Sequence, residues 1–515
     1  MTDTVQRTVA PGLSTPPAVT PDDPRYESLL RGTNHRFVPR PDEVRVATTT
    51  EQVVAVVADA VATGRRIAVR SGGHGFEDFT ASADVRVLLD LSEMTEVRFD
   101  AERRAFSVQP GATLGHVYRV LFKGWGVTLP GGECAEVGVG GHFAGGGYGP
   151  LSRRDGSIVD YLHAVEVVVV DADGGVRVVV ATDDPADPHH DLWWAHTGGG
   201  GGNFGIVTRY WLRAPGESSA DPADLLPKAP ARWRTAMLLW SWEGLSEADF
   251  TAIMRNVGTW FERNSAPDSP ARNLTGFFVS SHRSGWGVSV GASIDADVPD
   301  AEEQVERYLA AMTAGVAAEP VHREQKVRPW LYGASYPGWG DPGTIDSRRI
   351  KIKAAYLRRG YRDGQLATIY RHLSGGDAFP IEFILIGYGG RVNAIDPAAT
   401  ATAQRDSILK AAFLSVWPDQ AQDDTVIARL REMYRDVYAE TGGVPVPDEV
   451  SDGSYINYPD ADLADPAWNT SGVPWHDLYY RGNYPRLQQV KRRYDPNEVF
   501  RHALSVRPAA DPSGN

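Results

Sequence analysis

Apolar positions along this chain follow two periods. Val53, Val54, Val57 and Val61 recur at helical spacing and predict a helix capped by Thr50 and stopped by Gly64. Ile67-Ala68-Val69 reads as a short strand, Val85 to Leu91 as a second, and Val97–Phe99 with Ala105–Val108 as a hairpin. Leu114, Val117, Tyr118 and Leu121 share one helical face, with Gly124 as the stop. Ala164–Val170 and Val176–Val180 predict a strand pair turning at Asp171–Gly175, and Ile206–Leu212 a further strand.

At Pro215–Pro230 the chain becomes rich in Pro, Ala, Asp and Ser, which marks a boundary. Beyond it, apolar runs at Met237–Trp240, Leu274–Ser280, Gly287–Ile294, Ile350–Tyr356 and Ile381–Gly387 alternate with helical patterns near 246–263, 300–314, 362–373 and 424–440. Hairpin-like spacing predicts an antiparallel sheet backed by helices. Tyr484–Tyr494 is helical and basic, and Asp495-Pro496 ends it. The fold class is therefore α+β. The expected organisation is a flexible arm over 1–24, a first domain over 25–214, a second over 215–462, and a return to the first over 463–515.

Composition narrows the function. The 515 residues carry a net charge of −14 and a single cysteine, Cys134. That charge argues against a nucleic-acid surface, and one cysteine allows no internal disulfide. No secretory leader and no run of about 18 apolar residues is visible, so no membrane partner and a cytoplasmic location are expected. The thirteen histidines show no metal spacing, so no metal is expected, and His189-His190 reads as a helix start.

Chemistry concentrates in three glycine-rich stretches: Arg70-Ser71-Gly72-Gly73-His74-Gly75, the run Gly131 to His142 around Cys134, and Gly198 to Gly202 before Asn203-Phe204-Gly205. None matches a dinucleotide fingerprint or a Walker loop. Consecutive glycines let backbone N–H groups approach an anion closely, but they equally mark tight turns or close chain crossings. A lone cysteine is commonly a small buried hydrophobe, and a Cys134–His74 hydrolase dyad is a rival reading without a visible orienting partner. An inert small-molecule binder is another.

The segments Arg70-Ser71-Gly72-Gly73-His74, Gly132-Glu133-Cys134, Val139-Gly140-Gly141-His142 and Asn203-Phe204-Gly205-Ile206-Val207 resemble those of the berberine bridge enzyme-like oxidases, within the vanillyl-alcohol-oxidase (PCMH) type of FAD fold. The likeness runs from about residue 34 to the Asp495–Arg501 segment. It implies an FAD domain, an antiparallel substrate domain, and FAD bonded twice: to His74 through its 8α-methyl and to Cys134 through C6. The cofactor environment implied comprises Arg70, Ser71, Gly72, Gly73, Gly75, Gly132, Val139, Gly140, Gly141, His142, Gly202, Asn203, Gly205, Ile206, Val207, Tyr455 and Asn457. Two bonds would fix the ring while leaving one face open.

Flavin oxidation of an alcohol also needs a base within hydrogen-bond reach of the hydroxyl. Tyr455-Ile456-Asn457-Tyr458-Pro459-Asp460 resembles the family's YxNYxD segment, which assigns the base to Tyr458. Tyr388, in Gly387-Tyr388-Gly389-Gly390-Arg391, is a second candidate acid/base. A bulge at Gly389-Gly390 would let Arg391 face the site and lower a tyrosine pKa near ~10. No glutamate base of the ring-closing plant type can be placed, which favours plain oxidation. Trp240, Trp242, Trp286, Trp330 and Trp339 enrich the second domain as core or pocket lining. The expectation is an oxidase acting on a secondary alcohol or sugar carbon of a polyketide or glycosylated secondary metabolite, as in antibiotic tailoring. Dioxygen would be the acceptor and hydrogen peroxide the product. A carbohydrate oxidase, or a dehydrogenase using another acceptor, is the alternative.

Overall fold

The computed structural model describes residues 15–334 and 348–510. Three sheets organise the chain. The first joins β1 (Ala18–Val19), β2 (Glu43–Val46), β3 (Ile67–Arg70) and β4 (Val87–Asp90) in the order β1-β2-β4-β3. β4 pairs in parallel with both β2 and β3. Parallel neighbours need a crossover, and helix Thr50–Ala62 supplies the one from β2 to β3, burying Val53, Val54, Val56, Val57 and Ala60. Its cap is Thr49, whose side chain accepts from Gln52 N, one residue ahead of the expected Thr50.

The second sheet is antiparallel: β5 (Val97–Asp100), β6 (Ala105–Val108), β7 (Leu162–Val170), β8 (Val176–Thr182) and β9 (Ile206–Leu212), ordered β5-β6-β9-β7-β8. Helix Leu114–Trp125 runs past the expected stop at Gly124. It ends at Gly126, which holds the left-handed conformation (φ 68°) that closes a helix.

The third sheet has seven strands, all paired antiparallel: β10 (Arg232–Trp240), β11 (Thr275–Ser281), β12 (Val288–Asp295), β13 (His322–Pro329), β14 (Arg349–Leu357), β15 (Ile381–Gly387) and β16 (Leu409–Trp417). Their order is β13-β10-β12-β11-β15-β16-β14. Helices Glu247–Asn264, Ala301–Thr313, Asp363–Ser374 and Asp423–Val437 pack against this sheet and one another on one face, close to the expected positions. The other face roofs a large cavity.

The apolar pattern predicts five of these seven strands. β13 escapes it because it is a largely exposed edge of charged residues, His322-Arg323-Glu324-Gln325-Lys326-Val327-Arg328. β16, Leu409-Lys410-Ala411-Ala412-Phe413-Leu414, is buried on both faces and so shows no alternation. At the opposite edge, β14 is buried along its whole length. Asn34 caps this edge at Ile350, accepting from Ile350 N and donating to Ile350 O.

The C-terminal helix Tyr484–Tyr494 is capped at Asp495 as expected. Beyond it, Phe500 enters the core under the first sheet with Val53, Val87 and Ile206. Buried Lys491 donates to Asn203 O, Phe500 O and Asp495 Oδ2, pinning the tail to the third glycine stretch. Trp240 is core, Trp330 lines the cavity and Trp286 is 45% exposed. Trp339 and residues 1–14 of the expected N-terminal arm lie outside the described residues.

Candidate active site

All three glycine stretches converge on one cavity of about 1190 Å³, between the first two sheets and the inner face of the third. β3 delivers the His74 loop, helix Leu114–Trp125 and the short helix Val139–Ala144 bracket the Cys134 loop, and β9 leads away from the third stretch. The glycines serve two purposes. A side chain on Gly72 would strike the backbone of Gly138, and one on Gly138 would strike Gly72, so the His74 and Cys134 loops cross in direct contact. Here the close-crossing reading of glycine is correct. At Gly141 an added Cβ would meet nothing within 4 Å, and at Gly201 nothing nearer than 3.9 Å. These two line the cavity and leave room for an occupant.

His74 and Cys134 both line this cavity. Burial, with the Arg348 charge adding, pushes the His74 imidazole down to about 4, so it is neutral with a free-base nitrogen at physiological pH. Cys134 is half-buried. The loop behind it is held by Tyr118 Oη donating to Gly132 O at 2.8 Å and by Gly132 N donating to His142 Nε2 at 3.2 Å. That contact makes His142 Nε2 an acceptor, and burial keeps the ring neutral, at about 4.

A cluster of tyrosines stands at the roof side. Tyr458 and Tyr148 share a hydrogen bond between their hydroxyls at 3.0 Å. Tyr455 Oη accepts from Gly147 N at 3.1 Å and from Asn457 Nδ2 at 3.0 Å, and Asn457 also donates to His142 O at 2.9 Å. The YxNYxD segment is thereby tied to the helix that follows Cys134. Burial raises Tyr458 to about 12, while its bond to Tyr148 works in the opposite direction. Cys134 and Glu133 lie near enough to raise it further.

Lys410 sits at the centre of this cluster. Its Nζ lies 3.3 Å from the Tyr148 ring centroid, 3.7 Å from that of Tyr455, and 4.5 Å from those of Tyr356 and Tyr388. It has no hydrogen-bond partner among the described residues. Burial, with Arg405 adding, drives the amine well below the usual lysine range. Sequence reasoning missed Lys410 and Tyr148. Lys410 lies in the strand without alternation, opposite Ile386 and Tyr356. The signal available was a lone lysine at the second position of a nonamer whose other residues, Ser415 apart, are apolar.

Three expected site residues do not line the cavity. Val139 is fully buried in the core, because the helix it starts turns its side chain inward. Tyr388 is 1% exposed and stands behind Tyr148, edge to face at 6.0 Å. Arg391 is exposed on a turn. Gly389 and Gly390 do not form the expected bulge: both are left-handed (φ 78° and 60°), and they carry the chain into a 3-10 turn over Gly390–Ala394. Arg391 is near enough to influence Tyr161, and Lys410 occupies the place expected for it among the tyrosines. Arg70 does reach the cavity wall, yet its guanidinium is spent on Asp90 Oδ2 and the Leu29 and Leu30 carbonyls, which makes it a brace for the loop. The other expected cofactor residues line the cavity, as does Tyr458.

Residues 41–179 match the FAD binding domain family, and residues 454–507 match the berberine and berberine-like family. The chain is 52% identical over 487 residues to aclacinomycin-N/aclacinomycin-A oxidase of Streptomyces galilaeus, covering 94% of this chain and 89% of that one. The chain belongs to the berberine bridge enzyme-like family of FAD-binding oxidases. A further family relative, hexose oxidase of Chondrus crispus, is 30% identical, with 95% of each chain covered. The crystal structure of a glycopeptide hexose oxidase complexed with teicoplanin superposes with a TM-score of 0.92 at 51% identity, over 96% of this chain and 99% of that one. The protein is accordingly an FAD-linked oxidoreductase with the PCMH-type fold. The cavity fits that cofactor: it is large, walled by bare glycine backbone at Gly141 and Gly201, and carries the neutral imidazole of His74 and the thiol of Cys134. No described helix is long and apolar enough to cross a membrane.

Proposed function

We propose that the protein oxidises a secondary alcohol or sugar carbon of a glycosylated or polyketide secondary metabolite, with dioxygen as acceptor and Tyr458 as the base. The observation that carries this reading is the shared cavity: the Tyr458–Tyr148 hydroxyl pair opens into the space lined by His74 and Cys134. His74 and Cys134 would hold FAD covalently at two points, with Gly141 and Gly201 making room for it. FAD, when bound, supplies the hydride acceptor and passes two electrons to dioxygen, giving hydrogen peroxide.

The residues do the proton work. Tyr458 takes the hydroxyl proton as the carbinol carbon loses hydride. To do so Tyr458 must first be a phenolate, and Tyr148, hydrogen-bonded to it, shares that negative charge until the proton arrives. A tyrosine raised to about 12 by burial is a poor base by itself. A protonated Lys410 against the Tyr148 face offsets that, because an ammonium attracts a phenolate more strongly than a phenol. The lysine and the tyrosines titrate together: a buried amine holds its proton best when a tyrosinate forms beside it. Tyr388, behind Tyr148, would act only through that ring. The apolar inner face of the third sheet, with Phe277, Ile352, Ile384 and Leu414, suits a bulky aglycone. The sugar oxidations named for two of the relatives, and a cytoplasmic site of action, fit the same reading.

The test is anaerobic mixing of the yellow holoenzyme with aclacinomycin A, teicoplanin and cello-oligosaccharides, followed by aerobic peroxide detection. Bleaching by one of the first two and not by the oligosaccharides supports a tailoring oxidase, and the reverse pattern supports the carbohydrate alternative. Tyr458→Phe should slow flavin reduction by roughly 10²–10⁴-fold. An unchanged reductive step would remove Tyr458 from the mechanism.

A further inference from the structure

A second group of buried charges lies beside Tyr458 and takes no part in the chemistry above. Glu77, Lys351, Lys353, Asp460 and Asp462 are all buried. Lys351 Nζ donates to Glu77 Oε1 at 2.6 Å and to Asp460 Oδ1 at 2.7 Å. Lys353 Nζ donates to Asp460 Oδ2 at 2.6 Å and pairs with Asp462 Oδ2 at 2.8 Å. Arg431 closes the outer side, holding both Asp462 oxygens at 2.9 and 2.6 Å. Three cations thus meet three carboxylates, so the cluster is neutral as a whole.

The placement of these residues is informative. Glu77 lies three residues after His74, Asp460 two residues after Tyr458, and both lysines come from β14. A second contact joins the same two segments: the Phe76 ring meets the Tyr458 ring edge to face at 5.8 Å. A buried ion pair is weak evidence for stability, because desolvation offsets much of the attraction. Registering two segments against each other is a better reason for one to persist.

We propose that Lys351 is a positioning residue whose bridge from Glu77 to Asp460 fixes the separation between the His74 loop and Tyr458. It rests on the reading of His74 as cofactor anchor and Tyr458 as base. Its consequence is geometric: with the bridge cut, the base drifts relative to the anchored cofactor, and a shift of about 1 Å costs on the order of 10²-fold in rate.

The test uses the holoenzyme with Lys351→Met, with the charge-balanced double variant Glu77→Gln/Lys351→Met in case the single change prevents folding, and with Arg431→Met as control. Hydrogen exchange should rise together in peptides covering 72–78 and 455–461 for the bridge variants. For Arg431→Met it should rise only around Asp462. Flavin reduction by aclacinomycin A should fall roughly 10²-fold in the bridge variants and stay at the wild-type rate in the control. Adding Lys351→Met to Tyr458→Phe should cost little more, since both act on one step. Loosening of only one segment, or loosening of both with an unchanged rate, overturns the proposal. If Tyr458→Phe alone leaves the rate unchanged, it is the assignment of the base that fails, and the exchange data still decide the bridge.

Discussion

Replacing Lys410 by Met removes the only amine within 4.5 Å of the Tyr148, Tyr356, Tyr388 and Tyr455 rings among the described residues, and it keeps most of the length of the side chain. The magnitude follows from position. Nζ lies 3.3 Å above the Tyr148 centroid, which puts it roughly 4–5 Å from that hydroxyl oxygen. At an effective dielectric of about 20, unit charges at that range attract by about 3–4 kcal/mol. Divided by 1.36 kcal/mol per pK unit, that is at most about 2–3 units for a charge on Tyr148, reached when Lys410 carries its proton, and less for one centred on Tyr458, a hydrogen bond further away. The sign is upward: without the cation, the tyrosine must give up its proton unaided. The assay is stopped-flow flavin reduction across pH. The variant's rate should rise with pH along a limb displaced to higher pH by about 2 units, with the two enzymes converging only at the alkaline end. Arg391→Met should superimpose on wild type, since Arg391 is exposed on its turn. A Lys410→Met profile unchanged in position would refute the electrostatic role and leave Lys410 as a filler of the tyrosine cluster.

The remaining expectations concern attachment, glycine and acid. Cys134→Ala should leave protein that stays yellow after acid precipitation, through His74 alone; complete loss of bound colour would contradict independent attachment. Gly72→Ala should lower both the melting temperature and the flavin content, at a cost of about 1–3 kcal/mol for the forced loop crossing. Gly141→Ala, with open space around it, should lower flavin content while the apoprotein melts as before. Buried His196 is held near 4 against about 6.5 unfolded, so the unfolded chain binds the extra proton between those values. Its contribution, up to about 3 kcal/mol, is complete above pH 6.5 and lost as the pH falls toward 4. His196→Gln should therefore flatten the acid limb of apoprotein stability by about one proton, and an unaltered slope would show that His196 titrates normally.

What the sequence revealed and what it concealed have the same physical cause. Periodicity reports a surface that is apolar on one side. Helices Thr50–Ala62 and Glu247–Asn264 and the alternating strand β15 are half-buried, and so they were legible. β16 is covered on both faces, and β13 has little burial at all. Neither leaves a two-fold pattern, and Lys410 was lost with β16. The glycine stretches were ambiguous for a related reason. One-letter sequence cannot distinguish Gly72, where the backbone of Gly138 forbids a side chain, from Gly141, which faces the cavity with nothing within 4 Å of an added Cβ. The error at Arg391 was conformational. Two glycines after a strand permit either a bulge or a left-handed turn, and only the packing of Gly390 against the Arg153 carbonyl selects the turn. The two loops that carry His74 and Cys134 can therefore be read as motifs because their residues are contiguous in each loop. Lys410 cannot, because it reaches Tyr148 and Tyr455 only when β16 pairs between β14 and β15.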